Sequence, residues 1–128
     1  MTEKELSSQY QVQLRFFDPD QWEGLGFYDA ETRTIYLNSS LSVEKRNQVL
    51  LHELGHLNHN QVIYNHASIR CENEANRFMI RNLIQEELAK YDDLTNFNWL
   101  DFAARYNLKT ITDELMIQDE FYKLANII

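Results

Sequence analysis

The run Val43-Glu44-Lys45-Arg46-Asn47-Gln48-Val49-Leu50-Leu51-His52-Glu53-Leu54-Gly55-His56 decides the fold. Val43, Val49, Leu50, Leu54 and, just beyond it, Leu57 recur at helical spacing, so the segment reads as a helix with much of its surface buried. Ser40 or Ser42 caps its start, and Glu44 stands in its first turn. The two histidines lie four positions apart, on one face of that helix, offset by about 40° and one turn.

Upstream, Gly26-Phe27-Tyr28 and Thr34-Ile35-Tyr36-Leu37 read as two strands joined by the turn Asp29-Ala30-Glu31-Thr32, a hairpin. Gln11 to Phe17 alternates, with Val12, Leu14 and Phe16 on one side and Gln11, Gln13 and Arg15 on the other. That is a half-buried strand, ended by Asp18-Pro19-Asp20. Met1 to Tyr10 is polar, a short helix or a loose arm. Downstream, a looser stretch over Asn58 to His66 precedes a second long helix from about Ser68 to Lys90, carrying Ala75, Phe78, Met79, Leu83 and Ile84. Tyr91 to Asn96 is a connection, Asn98 caps a third helix with Asp101 three positions on, and a last helix covers roughly Ile111 to Ala125. The class is α+β: a small antiparallel sheet or hairpin packed on a helical core, with a helical C-terminal part. One domain is expected over residues 1–128, with strands mainly in 1–40, two site-bearing helices in 41–90 and a helical segment in 91–128.

The chain's 128 residues suit one compact domain, and 44% apolar with 12% aromatic residues argues against disorder. A net charge of −8 repels phosphate backbones, so direct nucleic-acid binding is disfavoured and a basic partner is favoured. Cys71 is alone, so no disulfide forms within the chain, which fits a reducing compartment. No signal-peptide core and no apolar run near the roughly 20 residues of a membrane span is present, so a cytoplasmic location is expected.

Two imidazoles in the His52–His56 arrangement can bind one Zn²⁺ at about 2.0–2.1 Å each. Glu53 points about 100° away around the helix, out of reach of the ion but within reach of a water on it, the general-base position of an H-E-x-x-H site. Gly55 leaves the helix bare between the histidines, either for a substrate backbone or for tight packing against the sheet. A hydrolytic zinc site needs a third protein ligand and one open position. His59, His66, Cys71, Glu72 and Glu74 are the candidates. His59 shares the single-helix geometry of the pair and is poorly disposed for a tetrahedron. Glu72 and Glu74 face about 200° apart, so at most one of them can point at the metal.

Gly26-Phe27-Tyr28, Thr34-Ile35-Tyr36-Leu37-Asn38, His52-Glu53-Leu54-Gly55-His56 and Glu72-Asn73-Glu74-Ala75-Asn76-Arg77-Phe78 together resemble the ImmA/IrrE metallopeptidases. That family shows a hairpin ending in I-x-L-N, an H-E-[LI]-G-H helix and an E-x-E-A-N-x-F-A helix. The resemblance covers roughly Gly26 to Glu87 and implies a gluzincin-like zincin core, with His52 and His56 as zinc ligands and Glu53 as base. It implies the Glu preceding Ala-Asn, Glu74, as third ligand, with Glu72 outside the coordination sphere or capping the helix. There are departures. The family's later Leu-Leu-Met-Pro reads Leu83-Ile84 with no proline, and the gap from His56 to Glu74 is short.

The resemblance also implies the substrate, a helix-turn-helix repressor of a phage or mobile element, cut by a zinc endopeptidase. The alternative is a catalytically silent, zinc-stabilised module that grips a regulator or toxin partner. Leu100 to Thr110 faintly resembles a helix-turn-helix, but the acidic residues Asp101, Asp113, Glu114, Asp119 and Glu120 outnumber Arg105, Lys109 and Lys123, which favours a packing or partner-docking role. Tyr64, His59, His66 and Tyr91 are candidates to stabilise an oxyanion. Thr34 to Leu37 is either a core strand or an edge that takes the substrate as an added strand.

Overall fold

Thr2 and Glu5 form a reciprocal capping box that opens helix α1 (Glu3–Gln9), so the N-terminal stretch is a helix, seated by buried Leu6. The computed structural model describes residues 1–127. Gln11, at φ 56°, closes α1 in the left-handed region, and the Val12 amide reaches back to the Ser7 carbonyl. Strand β1 (Gln13–Phe17) therefore starts two residues later than the alternation alone suggests.

Strands β2 (Gly26–Asp29) and β3 (Thr34–Asn38) form the expected antiparallel hairpin. Asp29 organises its turn by accepting from the Glu31 amide and the Thr32 hydroxyl. β1 adds to the far side of β3 and runs parallel to it, so the sheet is mixed, in the order β1-β3-β2. The parallel pairing arises because the chain leaving β1 crosses the end of β3 before β2 begins. Asn38 pins that crossing: its side chain donates to the Gly24 carbonyl and its amide to the Leu25 carbonyl. β3 is the central strand, with Ile35 and Leu37 fully buried, so it has no edge to offer a substrate; β1 and β2 are the edges.

Ser42 caps helix α2 (Val43–Leu54) by accepting from the Lys45 amide. Its regular turns stop at Leu54. Beyond it the His56, Leu57 and His59 amides bond carbonyls three residues back, so His56 stands in a tightened turn while staying stacked above His52. Asn60 then caps a short helix α3 (Gln61–His66), where the sequence suggests only a looser stretch; α3 buries no residue and so carries no apolar period.

Helix α4 (Ser68–Leu88) buries Cys71, Ala75, Met79, Ile80, Leu83, Ile84 and Leu88 along one face. It packs on α2 where Gly55 meets Ala75: a Cβ built on Gly55 falls 2.6 Å from Ala75 Cα. Gly55 is thus required by the approach of α4, not by the sheet. A 3₁₀ turn (Leu94–Asn96) leads to α5 (Trp99–Arg105), capped by Asn98. Asn107, at φ 57°, ends α5 as a left-handed cap, and α6 (Ile111–Ile127) lays Met116, Ile117 and Leu124 into the core, packing mainly on α4. Among the described residues no helix is long and apolar enough to cross a membrane.

Gly55→Ala is expected to destabilise the protein by about 1–3 kcal/mol, since two backbones must separate to admit the methyl group. Chemical denaturation checks it; a change below about 0.5 kcal/mol contradicts the close-packing account.

Candidate active site

Two elements build the site: the end of α2 with the turn after it, and the first turns of α4. His52 Nε2 and His56 Nε2 lie 3.3 Å apart. Glu72 spans the pair, Oε2 at 3.2 Å from His52 Nε2 and Oε1 at 3.2 Å from His56 Nε2. His52, His56 and Glu72 together form a candidate metal-binding group. Donors at about 2.0–2.1 Å from a zinc ion in a tetrahedron stand about 3.3–3.4 Å apart; the imidazole pair has that spacing, and each Glu72 oxygen stands 3.2 Å from one of the two imidazoles, with one donor atom from each residue falling within 4.8 Å of the others. The donor set, two imidazoles and one carboxylate, is also one that zinc accepts.

The structure does not bring Glu74 to this group. Its Oε2 lies 3.0 Å from His59 Nε2 and its Oε1 3.4 Å from Arg70 Nε. The helix phase explains the difference. Ala75 marks the face of α4 that touches α2; Glu72 stands about 60° from it on one side and Glu74 about 100° on the other. Cys71 is buried and His66 exposed, and neither joins the donors. Tyr91 hydrogen-bonds Glu87 at the opposite end of α4, so it serves structure there.

A groove of about 530 Å³ opens beside the donors, between the β2 edge with its turn (Phe27 to Glu31) and α3. Glu53, His56, His59, Tyr64 and Glu72 all line it. Tyr64 donates its hydroxyl to Glu72 Oε1 at 3.1 Å, which raises the phenol above its ordinary range. A second, more apolar recess on the other side of His52 is walled by Leu25, Val49, Met79 and Leu108. Glu53 lines both cavities.

Burial, then the negative charge of Glu72, pushes the Glu53 carboxyl up to about 7. Its Oε2 is buried and, among the described residues, accepts no hydrogen bond, so it retains a lone pair for a proton delivered from the site. Burial also holds the His56 imidazole below its ordinary range, against the opposing pull of Glu72. This favours the neutral form that a metal ligand must have.

The family model of the IrrE N-terminal-like domain, Peptidase_M78, matches residues 8–118. The chain belongs to that family. The match extends the ImmA/IrrE resemblance from the motif region through β1 to the end of α1 on one side and into α6 on the other. Neither a curated protein nor a solved structure matches the chain. Membership in a metallopeptidase family agrees with a donor set of two imidazoles and one carboxylate.

The raised Glu53 carboxyl makes a stability prediction for metal-free protein. Between its ordinary value of 4.5 and about 7 the native state holds a proton that the unfolded chain has released, so rising pH favours unfolding. Relative to Glu53→Gln, the wild type should lose about 3 kcal/mol between pH 4 and pH 8. Denaturation curves in the presence of a chelator check this; curves for the two proteins that stay parallel across that range contradict it.

Proposed function

We propose that this chain is a zinc-dependent endopeptidase with His52, His56 and Glu72 as its metal ligands and Glu53 as its general base. Its substrate is a protein, read from the ImmA/IrrE resemblance as a helix-turn-helix repressor of a phage or mobile element. The observation that carries the reading is the donor triangle beside a buried, donor-free carboxylate oxygen, in a chain of a peptidase family.

When bound, zinc supplies Lewis acidity, drawing the pKa of a water toward about 7 and polarising the scissile carbonyl. Glu53 takes the proton of the attacking water and returns it to the leaving amine as the C–N bond breaks. Tyr64 carries the hydroxyl best suited to the tetrahedral oxyanion, since it lines the groove and touches Glu72. His59 is less suited, because both its ring nitrogens already face partners. The free edge of β2 takes the substrate as an added strand, the role the sequence suggests for the hairpin but on the other of its strands. Asp29, Glu31, Glu53 and Glu72 make the groove acidic, which favours a segment poor in carboxylates.

Zinc-loaded protein incubated with the repressor encoded beside its gene should yield two repressor fragments by intact mass. Glu53→Gln should keep zinc and cut at least about 100-fold more slowly. A repressor left whole by the wild type contradicts the proposed substrate; equal cutting by Glu53→Gln contradicts the mechanism. Glu72→Ala should lower zinc affinity by more than the roughly 10–100-fold that loss of an outer partner costs. Near-normal zinc binding by Glu72→Ala removes it from the ligand set.

A further inference from the structure

A line of side chains runs from the surface to the back of His56. Glu74 Oε2 lies 3.0 Å from His59 Nε2, and His59 Nδ1 lies 3.0 Å from His56 Nδ1. His56 Nε2, at the other end of the ring, is the atom that faces His52 and Glu72. The Glu74 side chain is 54% exposed, whereas that of His59 is 7% exposed, so the middle of the line is shielded from competing water.

We infer that Glu74 and His59 are positioning residues that fix the tautomer and orientation of His56 for metal binding. The inference rests on the zinc reading above. The chemistry admits one metal-competent assignment with neutral imidazoles. An ionised carboxylate only accepts, so His59 Nε2 carries the hydrogen and donates to Glu74. His59 Nδ1 is then a lone pair, and the group facing it, His56 Nδ1, must carry a hydrogen. His56 Nε2 is left with its lone pair directed at the donor triangle. Each bond dictates the next, so a carboxylate outside the coordination sphere acts on the ligand through an intervening imidazole. Arg70, the other partner of Glu74, lies on the exposed side and has no place in the line.

Zinc affinity, read by competition with a chromophoric chelator, tests this together with nitrogen NMR of the histidine rings in the zinc-loaded protein. Glu74→Ala and His59→Ala should each weaken zinc by roughly 10-fold or more. The double variant should bind no worse than His59→Ala alone, because both act through one line. Glu74→Gln keeps an acceptor and should stay within about 3-fold of wild type, and Arg70→Ala should bind as wild type. His59 in the wild type should be protonated on Nε2 and bare on Nδ1. Equal losses in Glu74→Ala and Glu74→Gln, additive losses in the double variant, or a hydrogen on His59 Nδ1 would overturn the inference while leaving the zinc reading intact. A wild type that takes up no zinc would overturn both. Glu74 is exposed enough that its variants fold even if His59→Ala does not.

Discussion

The contact between Gly55 and the backbone of Ala75 is the constraint on which the site depends. A side chain at position 55 would meet Ala75 Cα at 2.6 Å, so only glycine lets the end of α2 touch α4 there. That touch point lies between the two histidines in sequence and three residues after Glu72. It therefore sets how far the carboxylate stands from the imidazoles, and the result is a pair of 3.2 Å separations. Glycine in a helical segment costs about 1 kcal/mol against alanine, a cost that the close packing of two core helices outweighs. The sheet contributes from the other side, burying Ile35 and Leu37 beneath α2 and leaving the β2 edge beside the donors.

Two kinds of buried carboxylate coexist in the molecule, and the contrast separates structure from chemistry. Glu87 accepts from Tyr91, Lys90 and Arg105, which ties α4 to α5. Glu120 takes Arg77 and holds α6 on α4. Each has a cation supplied by the fold. Glu53 is buried next to the negative charge of Glu72 and has no such cation among the described residues; its carboxyl is driven up to about 7. Glu72 itself gathers two imidazoles and a phenol around its two oxygens. The proposed divalent ion among His52, His56 and Glu72 would balance the negative charge of Glu72 and of ionised Glu53 beside it.

The helical period around His52 and His56, the hairpin and the long α4 were legible because each is an apolar pattern or a turn that local chemistry dictates. The parallel addition of β1 was not, since strand partners depend on how the chain crosses at Asn38. α3 was not, because it buries nothing and stands on one cap, Asn60. Which carboxylate of α4 approaches the histidines turned on helix phase. Glu72 and Glu74 are equally acidic, and only the choice of Ala75 as the contact residue puts Glu72 toward the histidines. The run Cys71, Ala75, Met79 carried that phase, and combining it with Gly55 would have pointed to Glu72. In sequence His59 is set aside as a ligand because it follows on the helix of the pair; its contacts with His56 and Glu74 arise only once the turn beyond Leu54 tightens.

The proposed centre consists of His52, His56 and Glu72 around one metal ion. Anomalous diffraction at the zinc edge from crystals of zinc-loaded protein tests it most directly. A single strong peak is expected about 2 Å from His52 Nε2, from His56 Nε2 and from a Glu72 oxygen. A peak between His59 and Glu74, or none at the histidine pair, would contradict it.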